Sequence, residues 1–334
     1  MEDIITNWLP YTFAFLMGLA MLIYAVLDGY DLGVGILFPF ASSSQQDTMI
    51  ASIGPFWDAN ETWLILGVGL LLVAFPMAHG VILTHLYLPV LVMLIGLTLR
   101  GVSFDFRAKV APQYKERWNR AFFAGSAMTA WAQGFMLGHY ILGFDAAPQS
   151  YGFAVFIGFC VMAGYGLMGA AWLIIKTDGP LQKQSVAWAR LCLWLTVVGI
   201  GVVSLTTPLV STRIFDKWFV LPQLYFLLPI PLLTGALILW LDRTLARLPA
   251  PNDKGCWVPF VQTVGIYVLC FIGLAYSFFP YIVPEKMLIT QAASADESLI
   301  IILVGALLVL PVLIGYTIVA YRIFWGKARD LTYH

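Results

Sequence analysis

The sequence predicts an all-α, polytopic membrane protein. Of its 334 residues, 60% are hydrophobic and 11% charged, whereas a soluble globular domain is nearer a quarter charged. The mean hydropathy is +0.85, so the chain has too little polar surface to stay dissolved. It also contains repeated apolar stretches of about 20 residues, the length that crosses a bilayer as a helix. Helices are the element expected, because lipid-exposed backbone must satisfy its own hydrogen bonds. Aromatic residues make up 15%, which suits the Trp and Tyr belts of membrane interfaces. The formal net charge is zero, so nothing suggests a nucleic acid as a partner.

Nine spans are predicted, roughly 8–40, 54–75, 79–100, 119–141, 152–175, 187–209, 220–241, 258–280 and 297–325. The first and last exceed what a bilayer needs and should tilt or project. Almost nothing is left for a soluble domain, so 1–334 is expected to form one integral membrane domain. The opening MEDIITNWLPYTF is acidic and lacks the basic n-region of a cleaved signal peptide. The first span is therefore expected to be retained. Cys160, Cys192, Cys256 and Cys270 form no CxxC and read as packing residues.

Basic residues orient the spans. Arg100, Arg107, Lys109, Lys115, Arg117 and Arg120 follow the third span, and Lys176, Lys183 and Arg190 follow the fifth. Arg243, Arg247 and Lys254 follow the seventh, with Arg322, Lys327 and Arg329 in the tail. These fifteen of the 18 lysines and arginines share one side, leaving Arg213, Lys217 and Lys286 on the other. The positive-inside rule then places the N-terminus outside and the C-terminus in the cytoplasm. The loop ASSSQQDTMIASI belongs to the cytoplasmic side yet has no basic residue, which is the weak point of this topology.

Acids then stand out. The first span ends YAVLDGYDLGVGILFPF, with Asp28 and Asp31 three apart on nearly one helical face. They lie about 30 Å along a helix that begins near Trp8. The second span opens GPFWDANETWLI, with Asp58 and Glu61 also three apart, bracketing Asn60 and flanked by Trp57 and Trp63. Four carboxylates are thus expected at the cytoplasmic ends of two adjacent helices. For Asp58 and Glu61 the structural reading is a helix cap, since acids in a first turn complement the helix dipole. Asp28 and Asp31 come late in their helix and gain nothing from it. An acid inside a span marks an ion path, a proton relay or a buried pair. Arg100, in LRGVSFDFRAK with Asp105, is a candidate counter-ion, or else a snorkelling arginine at a span end.

Gly33, Gly35, Gly67 and Gly69 follow no strand, so they make no dinucleotide loop and read as close helix packing. His79 and His85 are six apart and face opposite ways, His139 is alone, and His334 is terminal. No bis-histidine heme or metal site is signalled.

LDGYDLGVG, GPFWDANETWLI and LRGVSFDFRAK resemble, in order and spacing, the signature segments of subunit II of cytochrome bd-type quinol oxidases. FFPYIVPEKM and PVLIGYTIVAYRIFWGKA are similar to that family's C-terminal end, so the likeness covers essentially the whole chain. The shortness of the second half resembles the cyanide-insensitive branch. The resemblance implies two four-helix bundles plus a peripheral helix, and a heterodimer with subunit I in the bacterial inner membrane, with room for a small accessory subunit, quinone and lipids. It implies ubiquinol oxidation coupled to reduction of dioxygen to water, with protons drawn from the cytoplasm. Hemes, either b and d or b-type alone, are implied for subunit I and not for this chain. Asp58 corresponds to the family's proton-uptake acid, with Glu61 beside it, and Asp28 and Asp31 to the paired acids of the first helix. Trp57, Asn60, Arg100 and Asp105 are implied as structural or charge partners. Two other readings stay open: a proton-coupled secondary transporter, which would place polar groups near the midplane, and a structural scaffold.

Overall fold

The computed structural model describes residues 8–328; Arg329, His334 and the first seven residues lie outside them. The chain is helical almost throughout. Its helices are α1 (Trp8–Leu37), α2 (Ser43–Ile53), α3 (Trp57–Ala74), α4 (Pro76–Lys109), α5 (Pro112–Ile141), α6 (Pro148–Lys176), α7 (Gly179–Val210), α8 (Thr212–Phe219), α9 (Gln223–Leu227), α10 (Pro229–Leu245) and α11 (Val258–Phe278). A two-stranded antiparallel ribbon, β1 (Tyr281–Val283) and β2 (Met287–Leu288), leads into α12 (Ile289–Ala292) and α13 (Asp296–Ile323).

Eight segments of the described chain are long and apolar enough to cross a membrane. They match every predicted span except 119–141. That span falls within α5, a helix of 30 residues that is long enough but diluted by polar side chains. Asn119, Ser126 and Thr129 recur at helical spacing along α5 and are all buried. Exposed Glu116, Arg117 and Arg120 charge its first turns, and the buried stripe adds polar groups further along. Boundaries also move. The third span extends well past Arg100, because α4 is a single helix of 34 residues, about 51 Å at 1.5 Å per residue. It outruns a hydrocarbon core of about 30 Å, so Arg107 and Lys109 belong to a helix and not to a loop.

Two compact units make up the chain. The first comprises the chain to Asp28, Pro55–Leu86 and Phe278–Trp325; the second comprises Gly29–Gly54, Tyr87–Ser277 and the residues from Gly326. In the first unit, Gly67 of α3 lies against α1, where a Cβ would come within 2.6 Å of Met21 Sδ. The turn before α13 is pinned to the end of α3 by Ser294, whose amide donates to the Ala74 carbonyl (2.9 Å) and whose hydroxyl donates to that of Val73 (2.8 Å).

The second unit is a bundle in which α6 packs along both α5 and α7. Glycines set its tightest approaches. A Cβ on Gly33 would fall on the Tyr165 carbonyl oxygen and 2.8 Å from the Gly169 amide nitrogen. One on Gly35 would overlap Ser126 Oγ. Gly96 and Gly125 do the same for α4 on α5, since a Cβ on Gly125 would lie 2.6 Å from the Arg100 amide nitrogen. Tyr30 stacks on Trp172 with ring centroids 4.2 Å apart. At one end of this unit, Lys327 ion-pairs with Asp178 and Asp253 at 3.1 Å each, and Gln182 also holds Asp253 at 2.7 Å.

The packing reading of the span glycines holds for Gly33, Gly35 and Gly67 and fails for Gly69, around which a Cβ would meet nothing within 4 Å. Gly33→Ala must therefore displace backbone and should lower stability by at least the roughly 1–3 kcal/mol of an overpacked core. Gly69→Ala should be neutral, or stabilising by up to about 1 kcal/mol through helix propensity. Thermal melts of the two purified variants in one detergent check the contrast.

Candidate functional site

The predicted site residues divide between the two units. In the first, α3 begins at Trp57 directly after Phe56, so Asp58 lies in its first turn and Glu61 does not. The helix-cap reading is thus available to Asp58 only. Asp58 is exposed, Trp57 and Glu61 are half-buried, and Asn60 and Asp28 are completely buried. Asn60 ties the unit together. Its Nδ2 donates to the Leu27 carbonyl of α1 (3.3 Å), one residue before Asp28, and its Oδ1 accepts from Tyr321 Oη of α13 (3.3 Å). Tyr321 is backed by Phe56, ring centroids 4.6 Å apart. The carboxylates of the first unit therefore differ in burial: Asp58 is exposed, Glu61 half-buried and Asp28 fully buried.

In the second unit Asp31 and Arg100 are both buried. Arg100 sits within α4, nine residues short of its end, beside the close approach of Gly125. A snorkelling arginine at a span end is thereby excluded. Asp105 stays on the exposed side of α4.

Sequence reasoning missed a polar knot in this unit. The loop lacking basic residues is the helix α2, begun by Ser42, whose amide donates to Gln45 Oε1 (2.8 Å). Its Asp47 accepts from Arg107 Nη2 at 2.6 Å and pairs with Lys115 at 2.7 Å. Arg107 Nε donates to Asn119 Oδ1 (2.6 Å), and Asn119 Nδ2 donates to Gln46 Oε1 (2.8 Å). Arg107 also lies 5.5 Å from the Phe38 ring centroid. The only hint in the sequence was one acid opposite a run of basic residues. The knot puts 43–53 beside 107–119, so the segment without basic residues is held against two basic ones, Arg107 and Lys115. Burial alone would raise the Asp47 carboxyl, but hydrogen bonds and charge from Lys115 and Arg107 outweigh it and hold the group below its ordinary 3.8.

Of the described histidines, His85 Nδ1 lies 2.8 Å from the Val81 carbonyl of its own helix. His139 is buried, its ring 5.0 Å from Tyr151 and 5.6 Å from Phe144. Neither forms an opposed pair of axial donors, and among the described residues no group of three or more His, Cys, Asp or Glu could hold a metal ion.

The fold and buried charges define a multi-pass helical membrane protein with a graded set of carboxylates. The chain belongs to the cytochrome bd terminal oxidase subunit II family, whose model matches residues 9–324. It is 26% identical over 358 residues to cytochrome bd-I ubiquinol oxidase subunit 2 of Escherichia coli, with 93% of each chain covered. It is 26% identical over 318 residues to cytochrome bd ubiquinol oxidase subunit 2 of Bacillus subtilis, covering 89% of this chain and 90% of that one. The fold matches that of the bd oxidase from Geobacillus thermodenitrificans with a TM-score of 0.77 at 16% identity, covering 95% of this chain and 98% of that one.

Asp47→Asn leaves Arg107 buried against a neutral amide and should cost about 1–3 kcal/mol at neutral pH. The wild-type carboxyl has a folded pKa below its unfolded one. Its contribution is therefore present above the ordinary carboxylate range and disappears as pH falls through the lowered value. Melting curves of wild type and Asp47→Asn should converge on acidification; a gap that persists in acid contradicts this account.

Proposed function

We propose that this subunit carries protons from the cytoplasm toward the oxygen-reducing centre of a heterodimeric quinol oxidase, by way of Asp58, Glu61 and Asp28, with Asp31 on the same helix. The observation that carries the proposal is the difference in burial within the first unit: an exposed carboxylate in a helix first turn, a half-buried one and a fully buried one. Reducing dioxygen consumes protons, and an apolar bundle conducts none without titratable groups or ordered water. Asp58 is the exposed carboxylate at which such a path would open, in the first turn of α3. Asn60 fixes α1 beside α3, so Asp28 keeps its place relative to the mouth.

The partner is subunit I, which holds the hemes, b and d or b-type alone, and oxidises ubiquinol. Heme supplies the electron transfer and dioxygen chemistry when bound. The complex lies in the bacterial inner membrane with the N-terminus of this chain outside and its C-terminus inside, and the short second half supports reading it as a member of the cyanide-insensitive branch. α5 completes nine spans.

Asp58→Asn, purified as the heme-replete complex, should turn over quinol about tenfold more slowly. Positioned proton carriers contribute roughly 10²–10⁴-fold, and a water-accessible mouth is partly bypassed. Glu61→Gln should be milder. Wild-type turnover and proton uptake in Asp58→Asn would reduce the acid to a helix cap. Orientation has its own check: a reporter fused after Arg329 should work as a cytoplasmic probe, and periplasmic phosphatase activity there would reverse the topology.

A further inference from the structure

The segment between α7 and α10 is unlike the other connections. It is apolar on its outside and cationic on its inside. α8 has eight residues, TRIFDKWF, about 12 Å of helix, far short of a bilayer's roughly 30 Å. Ser211 begins it by accepting the Ile214 amide (3.3 Å). Ile214 is buried, and the side that bears it also carries Arg213, Lys217 and Trp218 against the C-terminal end of α11. Lys217 Nζ donates to the Tyr276 carbonyl (2.7 Å), Arg213 Nη1 to the Ser277 carbonyl (3.3 Å) and Trp218 Nε1 to Ser277 Oγ (2.8 Å). The two cations thus cap the orphan carbonyls of a neighbouring helix and complement its dipole.

The outer side of α8 is left with two rows at i, i+4 spacing. One is Thr212 and Asp216, both exposed. The other is Phe215 and Phe219, exposed by 48% and 51% with ring centroids 4.9 Å apart. The phenylalanine row continues into the exposed end of α7, where Leu209 is 83% exposed, and into α9, where Phe226 is 79% exposed. Both neighbours belong to membrane-spanning segments. An apolar row next in the chain to the exposed apolar ends of two candidate spans, beside a polar row, is the pattern of a helix lying in the plane of the bilayer surface.

We infer that α8 is an interfacial helix whose Phe215 and Phe219 insert among the lipid acyl chains at the edge of the bilayer, anchoring the α7–α10 connection and, through Arg213, Lys217 and Trp218, the end of α11. The occupant of this face is lipid, not a protein subunit and not water.

The test uses the intact oxidase in phospholipid nanodiscs, with p-acetylphenylalanine replacing Phe219 and carrying a nitroxide. Exposed Lys254 and Ile301 of α13 serve as label sites for water and for a span surface. Power saturation should give high oxygen accessibility and low accessibility to a water-soluble nickel chelate, at a depth of about 5–10 Å below the headgroup boundary. High nickel accessibility would place the helix in water, and low accessibility to both reagents would place it under a protein partner; either result overturns the inference. The same label at Phe215 should agree with Phe219, while a label at Asp216 should be markedly more accessible to nickel. Equal depths for Phe219 and Asp216 would also overturn it.

Discussion

Charge is costly in an apolar bundle, and the arrangement of this subunit follows from where each charge is neutralised. Arg107 lies in a buried position and is matched by Asp47 at 2.6 Å, by the Asn119 amide oxygen and by the face of Phe38. That match requires α2 to fold back beside α4 and α5, and it requires α4 to run past the bilayer until Arg107 reaches α2. Asn119 then begins the inward polar stripe of α5. A short acid-bearing connection thereby sets the mutual placement of three helices within the second unit.

The inner part of that unit depends on the absence of side chains. Asp31 is followed by Gly33 and Gly35, and both glycines let α1 touch the backbone or hydroxyls of α6 and α5. In a membrane there is little hydrophobic drive between helices, so close backbone approach and dispersion supply most of the association. The same approach excludes lipid from around Asp31. A glycine stripe and a buried carboxylate in one nine-residue motif are thus two parts of one device: the first makes a low-dielectric place in which the second can have a function.

The spans were legible because twenty-residue apolar runs are rare and unambiguous, and burial of Asp28 and Asp31 was legible from their setting. What escaped were relations between segments distant in sequence. Asp47 looked like an ordinary loop acid because its partners stand 60 and 68 positions away. Arg100 looked like a span terminus because apolarity fades there, while the helix itself continues to Lys109. Arg213 and Lys217 were not legible as caps on α11, since capping at a distance leaves no local pattern. α5 shows the converse: its length and spacing were legible, but its polar residues had to be located before its low apolarity made sense.

The difference in burial within the first unit has a consequence for residue choice at position 60. A side chain joining two helices there must donate to the Leu27 carbonyl and accept from the Tyr321 hydroxyl. A carboxylate could accept but not donate; an ammonium could donate but not accept. An amide does both while staying neutral at every pH, so the α1–α3–α13 contact does not change as nearby acids gain or lose protons. Gln would supply the same groups on a longer arm, at the cost of one more rotor to order in a fully buried space. The neutral Asn60 between Asp58 and Glu61 thus holds the α1–α3–α13 frame through hydrogen bonds that do not depend on any proton.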